Sequence, residues 1–126
     1  MYEYNTKIER IVDGDTADVF IDLGFEIWHH QRLRFAGIDA AEHNTPFGAA
    51  VTNYLKTLLE GKQVRIQVTK PDKYGRYLAN IFLGSNESIN DQMVRLGLAK
   101  AYRGDSKSGL WKPEELLATN VVAKLV

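Results

Sequence analysis

The stretch VDGDTADVF (residues 12–20) decides how the first half of the chain is read. Ala17, Val19, Ile21 and Leu23 share one parity and Thr16, Asp18, Phe20 and Asp22 the other, which is the period of a half-buried strand. Asp15 has the parity of the apolar row. In that register its carboxylate points toward the core, where a charge is costly unless a cation or hydrogen-bond donors meet it. A positive partner is therefore expected close to Asp15.

Further strands are expected within residues 4–12, in QVRIQVTK through Val64, Ile66 and Val68, and in YLANIFLG through Ala79, Ile81 and Leu83. RLRFAGID alternates over residues 32–35 and then meets Gly37, a candidate bulge. TPFGAAVTNYLKTLLEGK places Phe47, Val51, Tyr54, Leu55 and Leu58 on one helical face, with Gly61 as the stop. A short helix follows Ser88, with Asp91 three residues on and Gly97 at its end. The tail WKPEELLATNVVAKLV is read as a third helix, with Leu117, Val121 and Leu125 in a stripe. The order β-β-β-α-β-β-α-α suits a mainly β, α+β fold: a small five-stranded Greek-key barrel with three helices.

Composition narrows the chemistry. At 126 residues one domain spanning 1–126 is expected. Sixteen Lys plus Arg balance sixteen Asp plus Glu, so a polyanionic partner would need a local patch. The absence of cysteine excludes disulfides and thiolate metal sites. The three histidines, His29, His30 and His43, are too clustered for a zinc site. MYEYNTKIER has no apolar run, so the expectation is no membrane association and an intracellular protein (bacterial, plasmid- or phage-encoded), with a secreted mature form as the alternative. Nothing in the pattern calls for an oligomer, and a monomer is expected.

Two more stretches carry charge at strand ends: RLRFAGIDAAE (32–42), with Arg34, Asp39 and Glu42, and PDKYGRYLA (71–79), with Lys73, Tyr74 and Arg76. Asp15 and Asp39 offer hard carboxylate oxygens, and a backbone carbonyl beside Asp39 plus waters would complete a calcium shell; magnesium and manganese are chemically acceptable too. Arg34 and Arg76 suit phosphate because the planar guanidinium meets two oxygens at once, and Glu42 suits a water-activating base. Bland accounts stand beside these. DGDT is a common turn, DKYGR an ordinary hairpin turn with Gly75 at positive φ, Asp39 and Glu42 acids ahead of a helix, and Tyr102 a core-edge aromatic.

Taken in order and spacing, VDGDT, the Arg34-to-Glu42 run, DKYGR and INDQMVRLGLAK resemble the staphylococcal (micrococcal) nuclease family through almost the whole chain. The resemblance implies an OB-fold barrel with three helices. It implies calcium ligands at Asp15, Asp39 and the carbonyl of Ala40, phosphate-clamping arginines at Arg34 and Arg76, and Glu42 handling the attacking water. It assigns Lys73 and Tyr74 to a neighbouring phosphate, Tyr102 to a nucleotide pocket with a one-residue shift, and Asp13 to an acid near the metal. The implied reaction is calcium-dependent cleavage of DNA and RNA to 3′-phosphates. The alternative is an OB-type module that binds nucleic acid or protein without cutting. Asp-Ala-Ala-Glu (39–42) replaces the family's Asp-Thr-Pro-Glu and implies lower metal affinity, and the loop after Glu42 is short. Both arginines are expected to be removable without loss of the fold.

Overall fold

A computed structural model describes residues 2–69, 71, 74–102 and 110–125. β1 (Tyr2–Asp13), β2 (Thr16–Asp22), β3 (Trp28–Phe35), β5 (Gln63–Val68) and β6 (Tyr77–Phe82) close a barrel in the order β1-β2-β3-β6-β5. Every pairing is antiparallel except β3 with β6. Two elements that alternation is too short to reveal, β4 (Ile38–Asp39) and β7 (Lys100–Ala101), form a separate two-stranded sheet. Gly37, at φ +75°, ends β3 and separates it from β4 rather than making a bulge in one strand.

β1 reaches further than its apolar pattern because its register shifts between Ile8 and Arg10. That bulge lets Ile8 and Ile11, three apart, both face the core. The Glu60 carboxylate accepts from the N–H of Ile11 at 2.9 Å. With Ala17, Val19, Leu33, Phe35, Ile66 and Ile81 these residues fill the barrel.

α1 (Pro46–Leu59) closes one end of it, burying Phe47, Val51, Leu55 and Leu59 at four-residue spacing. Thr45 caps α1 by accepting from the N–H of Gly48, and Gly61 follows its end at φ +76°. α2 (Ile89–Arg95) begins as expected, with Ser88 Oγ accepting from the N–H of Asp91 at 3.0 Å.

The third helix differs from expectation. The tail forms a 3-10 turn over Glu115–Leu117 and a short α3 (Asn120–Ala123), broken at Ala118, which is extended. Thr119 and Asn120 are weak helix formers, and they fall at that break. Packing is decided by Leu116 and Val122, while Leu117 and Val121 are exposed. Among the described residues no helix is long and apolar enough to cross a membrane.

Polar side chains also tie the barrel together. Asn90, 1% exposed, donates to the carbonyls of Ala36 (2.8 Å) and Ala79 (3.0 Å) and accepts from the N–H of Ile81 (3.0 Å), so it ties α2 to the β3–β6 seam. Asn90→Ala strands these backbone groups and is expected to cost about 3 kcal/mol, read as a lower urea midpoint.

On the outer surface, Asp18 accepts from Arg32 Nε at 2.8 Å and Arg10 Nη2 at 3.0 Å. The Arg32 hydrogen bond, opposed by burial and reinforced by Arg10, holds its carboxyl down at about 2. The unfolded chain takes up that proton near pH 4, so the contribution is whole above about pH 5 and is lost as pH falls toward 2. Both guanidiniums are more than half exposed, which trims the contribution to about 1 kcal/mol. The unfolding free energy of wild type minus that of Asp18→Asn is expected to shrink by that amount between pH 6 and pH 2.

Candidate active site

β1 passes into β2 through a two-residue turn, Gly14 and Asp15, between the paired Asp13 and Thr16. A Cβ on Gly14 would lie 2.6 Å from that of Ala40, so the glycine is what lets the two chain segments touch. Asp15 therefore sits in the turn, ahead of β2, and is not bound by the strand's alternation. Its carbonyl accepts from the N–H of Phe35 at 2.8 Å, fixing the turn to the end of β3.

The expected positive partner is Arg34. Its side chain leaves β3 on the outer face, where Arg34 pairs with Thr16, and Nη1 lies 2.6 Å from Asp15 Oδ2. Asp15 also accepts from the N–H of Ala40 (3.0 Å) and from Thr16 Oγ1 (3.0 Å). Arg34 Nη2 donates to the Ile38 carbonyl (3.1 Å) and reaches Asp39 Oδ1 (3.4 Å). Asp15, Arg34 and Asp39 are 6%, 6% and 5% exposed, so this is a buried acid–guanidinium–acid cluster.

That burial corrects one expectation. Removing the Arg34 guanidinium leaves two buried carboxylates facing each other, which costs about 3–5 kcal/mol, so Arg34→Ala does not leave the fold untouched.

Trp111 completes the cluster, with Nε1 donating to Asp39 Oδ2 at 3.1 Å and the ring 5.6 Å from Phe47. Sequence reasoning passed over Trp111. Its signal was that a buried indole N–H usually finds an acceptor. Lys100 supports it from β7, Nζ lying 5.2 Å from the ring and 2.6 Å from Glu115 Oε2.

Asp39, Ala40, Ala41, Glu42, Thr45, Trp111 and Leu116 line a cleft of about 200 Å³. Glu42 is exposed at its rim. Its carbonyl accepts from the N–H (3.0 Å) and Oγ1 (2.7 Å) of Thr45, and Thr45 rather than Asp39 or Glu42 caps α1. A Cβ on Gly48 would lie 1.8 Å from that carbonyl, so Gly48 is required where α1 passes under the Glu42 segment. Asp13 stands beside the turn, its Oδ2 3.8 Å from His43 Nδ1, and burial raises its pKa.

Arg76 immediately precedes β6, whose Leu78 pairs with Arg34. It is exposed, with its guanidinium 5.3 Å from the Tyr74 ring, and Gly75 between them has φ +76°. Tyr102 is half-buried, its N–H donating to the Gly37 carbonyl at 2.9 Å. Lys73 lies outside the described residues. A larger groove of about 790 Å³ runs past Trp28, Arg65 and Phe82 and contains none of these residues; converging charge, rather than size, marks the site.

Asp15 and Asp39 converge on one cation, the guanidinium. The described residues contain no group of three His, Cys, Asp or Glu placed to hold a metal. Two carboxylates with a backbone oxygen, the rest left to water, fit a hydrated calcium or magnesium ion and not a closed protein cage.

A closed five-stranded barrel with outlying helices and a charged cleft at strand ends is an OB-type fold. A family model described as "Staphylococcal nuclease homologue" matches residues 32–125, and the chain belongs to that family. It is 36% identical over 102 residues to the thermonuclease of Staphylococcus intermedius, covering 75% of this chain and 57% of the relative. It is 32% identical over 109 residues to the micrococcal nuclease of Shigella flexneri (80% and 60%) and 33% over 96 residues to an uncharacterized endonuclease of Escherichia coli O157:H7 (76% and 60%). The chain thus spans about three fifths of the length of these relatives.

Gly48→Ala tests how the Glu42 segment is held. The variant is expected to lose at least about 2 kcal/mol of stability and to shift the amide resonances of residues 41–45. Unchanged resonances would contradict the close approach.

Proposed function

We propose that this chain is a calcium-dependent nuclease hydrolysing phosphodiester bonds of DNA and RNA. The observation that carries the reading is the buried Asp15–Arg34–Asp39 cluster opening onto a cleft rimmed by Glu42, in a member of a family whose relatives include named nucleases. Asp15, Asp39 and the Ala40 carbonyl would hold the ion. When bound, calcium supplies positive charge that offsets charge on the phosphoryl oxygens and acidifies a coordinated water.

The chain's own groups do the rest. Arg34 and Arg76 grip the scissile phosphate, the fixed forks matching the oxygens as charge grows on them. Glu42, exposed and so able to reach water, accepts its proton. The water oxygen bonds to phosphorus and the P–O5′ bond breaks in line; the leaving 5′-oxygen takes a proton from solvent to become a hydroxyl, Glu42 returns its proton to solvent, and the 3′-phosphate remains. Tyr74 and Lys73 would hold the neighbouring phosphate, and Tyr102 would flank the nucleotide.

Arg34 arrives with its charge shared by two acids, so an incoming phosphate competes with Asp15 and Asp39 for one fork. Lysine keeps the charge but not the two-sided reach. Purified protein is expected to cleave single-stranded DNA with calcium and not with chelator. Arg34→Lys and Arg76→Ala should each lose at least a hundredfold in kcat/KM, the order expected for losing a preorganised charge. Arg65→Ala, on the outer face of β5 beside Glu3 and Phe82, should stay within twofold. Silence with every divalent ion from folded protein would instead favour the non-cutting binding module.

A further inference from the structure

The groove of about 790 Å³ lies at the other end of the barrel strands from the candidate active site. Trp28, which lines it, opens β3, whereas Arg34 stands at the far end of that strand. Asp22 and Phe82, also in its lining, close β2 and β6, whereas Thr16 and Tyr77 open them. Six residues of strand, about 20 Å, separate Trp28 from Arg34.

Strand pairing lays the groove out as a row across the barrel wall. Trp28 stands opposite Asp22, Asn5 opposite Arg65, and Arg65 opposite Phe82. Their strand neighbours Ile21, Thr6, Val64, Ile66 and Ile81 are buried, so by alternation the row projects outward. The volume falls within the range of sites that hold small molecules.

The chemistry of the lining selects an occupant by what it leaves uncommitted. Arg65 is matched, with Nη1 2.7 Å from Glu3 Oε1 and the guanidinium 4.4 Å over the Phe82 ring. With that cation matched and the Asp22 carboxylate in the same lining, the groove offers a polyanion no net attraction. Arg65 pairs with Asn5 on one side and Phe82 on the other, so the floor has no free main-chain edge to which an extended peptide could add.

Neutral hydrogen-bonding groups remain. The side-chain amides of Asn5, Gln63 and Asn86 and the indole N–H of Trp28 have no hydrogen-bond partner among the described residues. Each amide both donates and accepts. Asp22 accepts from the N–H of Gly24 through one oxygen, at 2.8 Å, and keeps a second. Trp28, 51% exposed, sets a flat apolar face beside them. Hydroxyls also donate and accept, and a pyranose ring carries them around its edge while presenting C–H groups on its face. That pairing of polar edge and apolar face is the counterpart of amides set beside an indole.

We infer that this groove binds a neutral saccharide, one ring stacking on Trp28 and its hydroxyls meeting Asp22, Asn5, Gln63 and Asn86. The site shares no residue with the candidate active site, and the inference stands whether or not the chain cuts nucleic acid.

The test is an NMR titration of the full chain with three neutral oligosaccharides: maltopentaose, cellopentaose and chitopentaose. At least one is expected to bind with a Kd of about 1 mM or tighter. Binding should move the Trp28 indole resonance and the side-chain amides of Asn5, Gln63 and Asn86, and leave residues 39–42 unmoved. Trp28→Ala should weaken that binding at least about tenfold, the loss of roughly 1.4 kcal/mol of contact, with any DNA cleavage unchanged. Gln63→Ala, at an exposed position, is the second variant should Trp28→Ala fold poorly, and should weaken binding in the same direction. Resonances unmoved by all three sugars at about ten times that concentration would overturn the inference. Binding undiminished in both variants would overturn the location. Tighter occupation of the same groove by single-stranded DNA than by any sugar would overturn the choice of a neutral ligand.

Discussion

One guanidinium holds two buried carboxylates from segments far apart in the chain, and the rest of the site is arranged around it. Asp15 comes from the β1–β2 turn, Asp39 from the short β4, and Arg34 from the end of β3. None of the three charges is tolerable alone at about 5% exposure, and together they satisfy one another. Their mutual need fixes how the turn, the end of β3 and β4 meet, and the Glu42 cleft opens from that junction. Gly14 and Gly48 serve the same junction by lacking a side chain where Ala40 and the Glu42 carbonyl press in.

Much of this was legible in the sequence, for physical reasons. β2, β5, β6, the end of β3 and α1 announce themselves through period, and Ser88, Gly61 and Gly97 mark helix ends by capping chemistry. The inward aspartate correctly demanded a cation. Asp15 meets Arg34 because it lies in the β1–β2 turn, and a residue between strands is free of the strand's parity.

What stayed hidden depends on tertiary contacts. Two-residue strands such as β4 and β7 have no period to read. The tail looked like one amphipathic helix because its apolar spacing permits it, whereas anchoring by Leu116, Trp111 and Val122 selects a broken path across α1. Trp111 entered the site only through the fold, which carries it to Asp39 across 72 positions of sequence. No pattern singles out Asn90, yet its amide joins α2 to β6 and to the Ala36 carbonyl just beyond β3.

Under the proposed function, Arg34 is shared between carboxylates and phosphate, so that engaging one releases the other. Linkage then requires that a phosphate ligand strengthen calcium binding, because drawing the guanidinium away leaves Asp15 and Asp39 to the ion. Calcium titration by calorimetry, with and without a saturating mononucleotide, measures this directly. Calcium is expected to bind at least tenfold more tightly in the presence of the nucleotide, with a smaller gain in Arg34→Lys. Identical calcium affinities under the two conditions would contradict it.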